Sequence, residues 1–147
     1  MNIKAYTEQM TITGECADAV LSAVTARAND LGVWVSVAIA DCSGHLLAFK
    51  RMQGAFLPTV EIAIDKAKTA AGFGIDTGLL YELLKNNSAV VSGIGKREGI
   101  ALFGGGVAIS IENGSCAGSI GVSGGSEEQD IECAKAGLEA ISALSNK

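Results

Sequence analysis

Four charged residues in this sequence have side chains suited to proton transfer or carboxylate binding: Arg51, Lys66, Glu128 and Asp130. Arg51 ends a predicted strand, where its planar guanidinium could bind a ligand carboxylate or form an ion pair within the chain. Lys66 lies on the apolar flank of a predicted helix. If the ammonium is buried there, its pKa is lowered and the group becomes chemically useful. Alternatively, the ammonium reaches water and only the aliphatic part of the side chain covers apolar surface.

Together these groups support two hypotheses about chemistry. If they converge, a lysine, an arginine and two acids suffice for proton transfer or Schiff-base chemistry on a small carboxylate or carbonyl substrate. The catalytic residues would then be Lys66, Arg51, Glu128 and Asp130. Without catalysis, Arg51 and Lys66 would instead bind a small anionic or planar ligand.

Two glycine runs are the other candidate binding elements. They comprise Gly104, Gly105 and Gly106, and Gly124 and Gly125. Neither run fits the P-loop pattern or the dinucleotide fingerprint. Such runs indicate backbone that approaches something closely, either a ligand, another strand or a neighbouring subunit.

The second run leads into a predicted helix within "GVSGGSEEQDIECAKAG", residues 121–137. A helix N-terminus attracts anions. The first turn of this helix already carries three carboxylates, on Glu127, Glu128 and Asp130. Ser126 and Gln129 predict a capping box. We therefore expect this end to attract a cation of the same chain, Arg51 or Lys66, and not an external phosphate.

Metal-ligating residues are few. The four cysteines, at positions 16, 42, 116 and 133, form no CxxC pair, and His45 is the single histidine, so no zinc site is predicted. His45 could ligate haem iron or act as a general base, but its place after a glycine-containing turn favours an exposed surface position. Cys16 could bind iron as a thiolate, although a buried structural thiol is the favoured interpretation.

Composition limits the class of protein. The 147 residues predict a single domain, with residues 1–10 as a loosely ordered or docking segment. Hydrophobic residues make up 48% and charged residues 18%, which favours a folded chain over a disordered one. The net charge of −5, with no basic cluster longer than Lys96–Arg97, argues against nucleic acid and membrane partners. With neither a signal peptide nor a membrane span in view, a cytoplasmic protein is expected.

Local patterns predict four helices and two hairpins. The first predicted helix begins near Thr13 and stops at Gly32, and the second begins at Pro58 and ends near Gly72 or Gly74. The third spans residues 76–86, and the fourth runs from Ser126 to about residue 143. The predicted hairpins pair 33–40 with 45–52, and 106–111 with 115–122 around Asn113-Gly114. Residues 87–100 are expected to be irregular. Sequential hairpins with helices on both sides predict an α+β fold with an antiparallel sheet.

Three segments resemble the GlcG/HbpS-like haem-binding family, which includes the C-terminal domain of PduO-type cobalamin adenosyltransferases. They are "DCSGHL" at 41–46 continuing to "RMQGA" at 51–55, "AIDKAKTA" at 63–70, and 104–130 with its two glycine runs. The resemblance spans about residues 11–143. It implies a profilin-like α/β/α sandwich with a five-stranded antiparallel sheet, an oligomer, and haem or a corrinoid as ligand.

The sequence also departs from this family. The PduO-type domain is associated with a histidine haem ligand on its first helix, and residues 13–31 contain no histidine. Gln53 replaces a usual aspartate, and Ala108 a frequent proline. The small residues of the last helix suit a subunit interface or close packing within the monomer. We rank a non-enzymatic haem or small-ligand module in a catabolic or sensory pathway first, an enzyme second and an oligomeric accessory protein third.

Overall fold

The structure, a computed structural model, describes residues 1–147 and contains five helices and four strands. In chain order they are α1 (Gly14–Leu31), β1 (Ser36–Asp41), β2 (Leu46–Arg51), α2 (Thr59–Phe73), α3 (Thr77–Leu84), α4 (Ser88–Gly95), β3 (Gly106–Ser110), β4 (Cys116–Ser123) and α5 (Glu127–Ser145). The predicted order of helices and hairpins is confirmed, with α4 as an addition. No helix combines the length and apolar composition needed to cross a bilayer.

Capping residues set the helix ends. The Thr13 side chain accepts a hydrogen bond from the Cys16 amide at the start of α1, and Gly32 ends that helix in the left-handed conformation. Ser126 and Gln129 form the predicted capping box of α5. Pro58 precedes α2 by one residue instead of starting it.

The prediction that 87–100 is irregular is wrong for its first half, which forms α4. The Asn87 side chain caps this helix by accepting from the Val90 amide. Val90, Val91 and Ile94 lie at helical spacing. The glycines and polar residues of the segment concealed this pattern, and none of the helix is buried.

The sheet has four antiparallel strands in the order β2-β1-β4-β3, and the expected fifth strand is absent. Residues 11–12 run beside β4, but their hydrogen bonds to it come only from the Ile12 amide and the Thr11 hydroxyl, both of which donate to the Ala117 carbonyl. One shared acceptor does not make a ladder. The α+β class is therefore correct, with a sheet one strand smaller than predicted.

Helices cover both faces of the sheet. α1 and α5 pack together on one face over a core of aliphatic side chains that includes Val20, Val37 and Ile120. α2 covers the other face, where the contacts are almost all alanines, such as Ala38 and Ala67. Small side chains bring α2 close to the strands, and the Ser119 hydroxyl donates to the Ala67 carbonyl at 2.5 Å.

The free edge of β3 is partly covered by the start of α3. The Gly106 amide donates to Thr77 Oγ1 at 3.0 Å, and the Ala108 amide donates to Asp76 Oδ1 at 2.9 Å. Asp76 therefore does not cap α3, although its position before the helix would suit that role. Covering an edge in this way blocks unwanted strand pairing. The covered stretch ends before Ser110.

Candidate functional site

Lys66 and Asp130 form a buried ion pair beside the end of β4. Lys66 Nζ lies 3.1 Å from Asp130 Oδ2 and donates to the Val122 carbonyl at 2.8 Å. The two side chains are only 1% and 5% exposed. The expectation that a cation of the chain meets the acidic end of α5 is confirmed, and the cation is Lys66.

Burial shifts both members of the pair toward their neutral forms. It lowers the pKa of the Lys66 ammonium, while the Asp130 carboxylate opposes that shift. It likewise raises the pKa of Asp130 against the opposing effects of Lys66 and the amides of Gly125 and Gly124. Desolvation outweighs attraction for both groups, as is common for buried ion pairs.

Both glycine runs close around this pair. Gly105, at φ +120°, has no room for a side chain, because a Cβ would lie 2.6 Å from both Lys66 Nζ and the Val122 carbonyl oxygen. The Gly125 amide donates to Asp130 Oδ1 at 2.8 Å, and the Gly104 amide donates to Glu127 Oε1 at 2.9 Å. The close approach predicted for the glycines is thus toward atoms of the same chain.

The Lys66 ammonium has no open space beside it. The Phe103 ring lies over it, with its centroid 4.8 Å from Nζ. A substrate would have to displace this ring or the 104–106 run to reach the nitrogen. The pair therefore joins α2 to α5 as a structural contact in this conformation.

Arg51 and Glu128 are not part of this cluster. Arg51 is exposed, and its Nη1 donates to the Met52 and Ala55 carbonyls at 3.4 and 3.2 Å. It forms no ion pair, so the expected bridge to a carboxylate near 127–130 is absent. The Glu128 side chain is also exposed. Catalytic or cofactor-binding roles for these residues, for Lys66 and Asp130, and for both glycine runs stay predictions.

His45 lies at the rim of a second, open site on the turn between β1 and β2. Its side chain is 82% exposed, in agreement with the surface position expected from the sequence. Its Nδ1 lies 3.7 Å from Asp41 Oδ2, while Asp41 Oδ1 accepts from the Ser43 and His45 amides. The turn therefore fixes the carboxylate that faces Nδ1, and it leaves Nε2 free.

A groove of about 240 Å³ adjoins this histidine. Its lining combines apolar side chains with one cation, on Ala40, Leu46, Ile64, Ala67 and Lys68. Asp41 and Lys68 were missed as site residues in the sequence. The signal for Asp41 was its position four residues before His45 across a tight turn, whereas Lys68 faces the groove only because α2 packs on β1.

Cys16 occupies a third position, in a groove of about 360 Å³ between the start of α1 and the end of α5. The thiol is half-buried, and desolvation raises its pKa. It therefore stays protonated at neutral pH and is a poor thiolate ligand. The sequence favoured a buried structural thiol, and the structure shows this thiol only half-buried.

The fold and these sites define a small α/β/α domain with one closed polar cluster and several shallow surface grooves. The chain belongs to the HbpS-like family: the family model described as "Haem degrading protein HbpS-like" matches residues 12–139. The resemblance found in the sequence is thereby confirmed.

Named relatives and solved structures agree with this assignment. The chain is 35% identical over 120 residues to the corrinoid adenosyltransferase PduO of Citrobacter freundii, covering 81% of this chain but only 36% of that protein. The Klebsiella pneumoniae protein ORFY superposes with a TM-score of 0.90 at 30% identity, covering 98% of this chain and 99% of ORFY. The PduOC–haem complex superposes with a TM-score of 0.82 at 30% identity, covering 90% and 96% of the two chains.

Proposed function

We propose that this protein is a non-enzymatic small-ligand-binding module for haem or another iron tetrapyrrole, serving a catabolic or sensory pathway. The observation that carries the proposal is the orientation of His45, with Nδ1 facing the fixed Asp41 carboxylate and Nε2 free at the rim of an apolar groove. A carboxylate on the far side of an iron-ligating histidine orients the ring, so that the other nitrogen is directed to the metal. The haem-bound relative supports the same class of ligand.

The residues present fit a tetrapyrrole on three counts. His45 offers a nitrogen donor, Leu46 and Ile64 offer apolar contact, and the Lys68 ammonium can pair with a propionate. The groove is shallow, so much of the macrocycle would stay in water, and we expect micromolar binding in place of tight enclosure. Bound haem would supply a redox-active iron, and the chain's part is to hold and orient it.

Titration with hemin, followed by the Soret band, tests this proposal. The unmodified protein should give a saturable shift at micromolar hemin. His45→Ala should weaken binding by about tenfold or more, because it removes the nitrogen ligand of the iron. Because the His45 side chain is exposed, the substitution should leave the fold intact, and far-ultraviolet circular dichroism checks this.

Cys16→Ala is the matched control, because Cys16 also lies beside a groove and is the second side chain that the sequence suggested as an iron ligand. This variant should bind hemin like the unmodified protein. The proposal fails if no saturable shift occurs. Its assignment to His45 fails if Cys16→Ala, and not His45→Ala, removes the shift.

A further inference from the structure

Residues 1–7 are exposed along their whole length. Their one hydrogen bond runs from the Thr7 hydroxyl to the carbonyl of the adjacent Glu8, so none connects them to the folded body. Ile3 is 78% exposed and Tyr6 87% exposed. Two large apolar side chains on one short segment favour a covered state, since each gains free energy on leaving water.

A groove suited to cover them lies at the foot of this segment. It has a volume of about 800 Å³ and is bounded by residues 10–12, the end of β3 and the last turns of α5. Its apolar lining consists of Met10, Ile12, Ile109, Ile111, Ala117 and Ile141. It is the largest of the grooves described, and it is distinct from the groove beside His45.

The main chain of β3 is open inside this groove. Gly106 and Ala108 direct their amides outward to Thr77 and Asp76. The pairing of β3 with β4 shifts between Ile109 and Ser110, but the Ile111 amide still donates to the Ser115 carbonyl of the neighbouring chain segment. Because successive residues of a strand face opposite edges, the amide of Ser110 points outward, beyond the two covering side chains. An extended segment could therefore add to the edge at Ser110 while its side chains enter the groove.

The distribution of charge also favours binding of residues 1–7 in this groove. Lys4 is the basic residue of the exposed segment, and Glu112 lies on the groove lining. The last turn of α5, which also lines the groove, contains no basic residue to balance the negative end of the helix dipole. Glu112 is the one charged residue of the groove lining, and the segment brings a positive charge that can pair with it.

We propose that residues 1–7 of one copy of this chain dock into the groove of a second copy, with Ile3 and Tyr6 against its isoleucines and Lys4 beside Glu112. Seven extended residues span about 23 Å, enough to cross from one subunit to another. The exchange makes a subunit interface from a segment that is otherwise exposed. It does not depend on the proposed function at His45.

Deletion of residues 2–7 tests the interface without disturbing the folded body. Sedimentation equilibrium over a dilution series should show self-association of the intact chain, weakened by about tenfold or more in the deletion variant, since two buried apolar side chains are lost. Amide exchange should show Ser110 protected in the intact chain and unprotected in the deletion variant. This second readout stays informative if other surfaces also hold the subunits together.

Substitutions that reverse the charges of Lys4 and Glu112 test whether these two residues lie side by side in the interface. Lys4→Glu and Glu112→Lys should each weaken association about threefold, and the double variant should restore it, as expected for one exposed ion pair. Lys135→Glu, on the exposed surface of α5, is the control and should have no effect. Deletion without effect on association or on Ser110 would overturn the proposal. Ser110 protection that persists unchanged on dilution to the monomer would also overturn it, because the segment would then occupy its own groove.

Discussion

Lys66 Nζ and Asp130 Oδ2, 3.1 Å apart, connect helices that lie on opposite faces of the sheet. Lys66 belongs to α2 and Asp130 to α5, and the contact passes the end of β4 at Val122. Neither partner has access to water that could replace the other. Removing one residue of the pair should therefore lower the free energy of unfolding more than removing both.

Asp130→Ala should lower the free energy of unfolding by about 3–5 kcal/mol, because it leaves a buried ammonium without a counter-ion. The double variant Lys66→Met with Asp130→Ala should lose clearly less, since the unpaired charge is gone. Urea denaturation of Asp130→Ala, Lys66→Met and the double variant measures the coupling between the two residues. Equal losses in Asp130→Ala and the double variant would show that the ammonium carries no such penalty.

Cys133 should make the protein less stable in alkali. Burial raises the pKa of this thiol from 9.0 to about 11, so the unfolded chain releases the proton at lower pH than the folded one. The stabilisation is complete below pH 9 and is lost as the pH rises toward 11, amounting to about 2–3 kcal/mol.

Cys133→Ala is the comparison that isolates this effect. The difference in free energy of unfolding between the unmodified protein and the variant should shrink between pH 8 and pH 11. Other groups that titrate in this range contribute equally to both proteins. A difference that stays constant with pH would contradict the prediction.

Gly121→Ala should separate α2 from the sheet. A Cβ at this position would overlap the Ala63 carbonyl oxygen and lie 2.6 Å from the Ala67 amide nitrogen. Helix backbone cannot move aside cheaply, so we expect a loss of about 2–3 kcal/mol or more by thermal or urea denaturation.

Gly72→Ala is the matched control within α2. No atom lies within 4 Å of its added Cβ, and the substitution favours helix over unfolded chain by about 0.5–1 kcal/mol. A loss in Gly121→Ala no greater than the ordinary variation among surface variants would mean that the helix can shift.

Asp76→Ala should expose the edge of β3. The Ala108 amide would lose its acceptor, at a cost of about 1 kcal/mol, and should exchange its hydrogen faster. Asp76→Asn retains an acceptor oxygen and should keep most of the protection. Amide exchange by NMR distinguishes the two, and unchanged exchange in Asp76→Ala would show that the hydrogen bond does not protect the edge.

The sequence alone determined where most elements begin and end. Thr13 and Gly32 bound α1, and Ser126 with Gln129 starts α5, because capping involves atoms within one helical turn. The Asn-Gly turn and alternating runs likewise located both hairpins. Residues 87–100 were predicted to be irregular because they contain glycines and polar residues, and the helix that begins after the Asn87 cap was missed.

The tertiary structure decided which distant residues meet. Lys66 and Arg51 were equal candidates for the acidic start of α5, and packing of α2 against β4 brought only Lys66 to it. The number of strands also depended on the tertiary structure. Residues 11–12 share one acceptor, the Ala117 carbonyl, and do not form the series of backbone hydrogen bonds that would make them a strand of the sheet. Local signals specify backbone conformation over a few residues, whereas contacts between residues 64 positions apart depend on how whole elements fill the space between them.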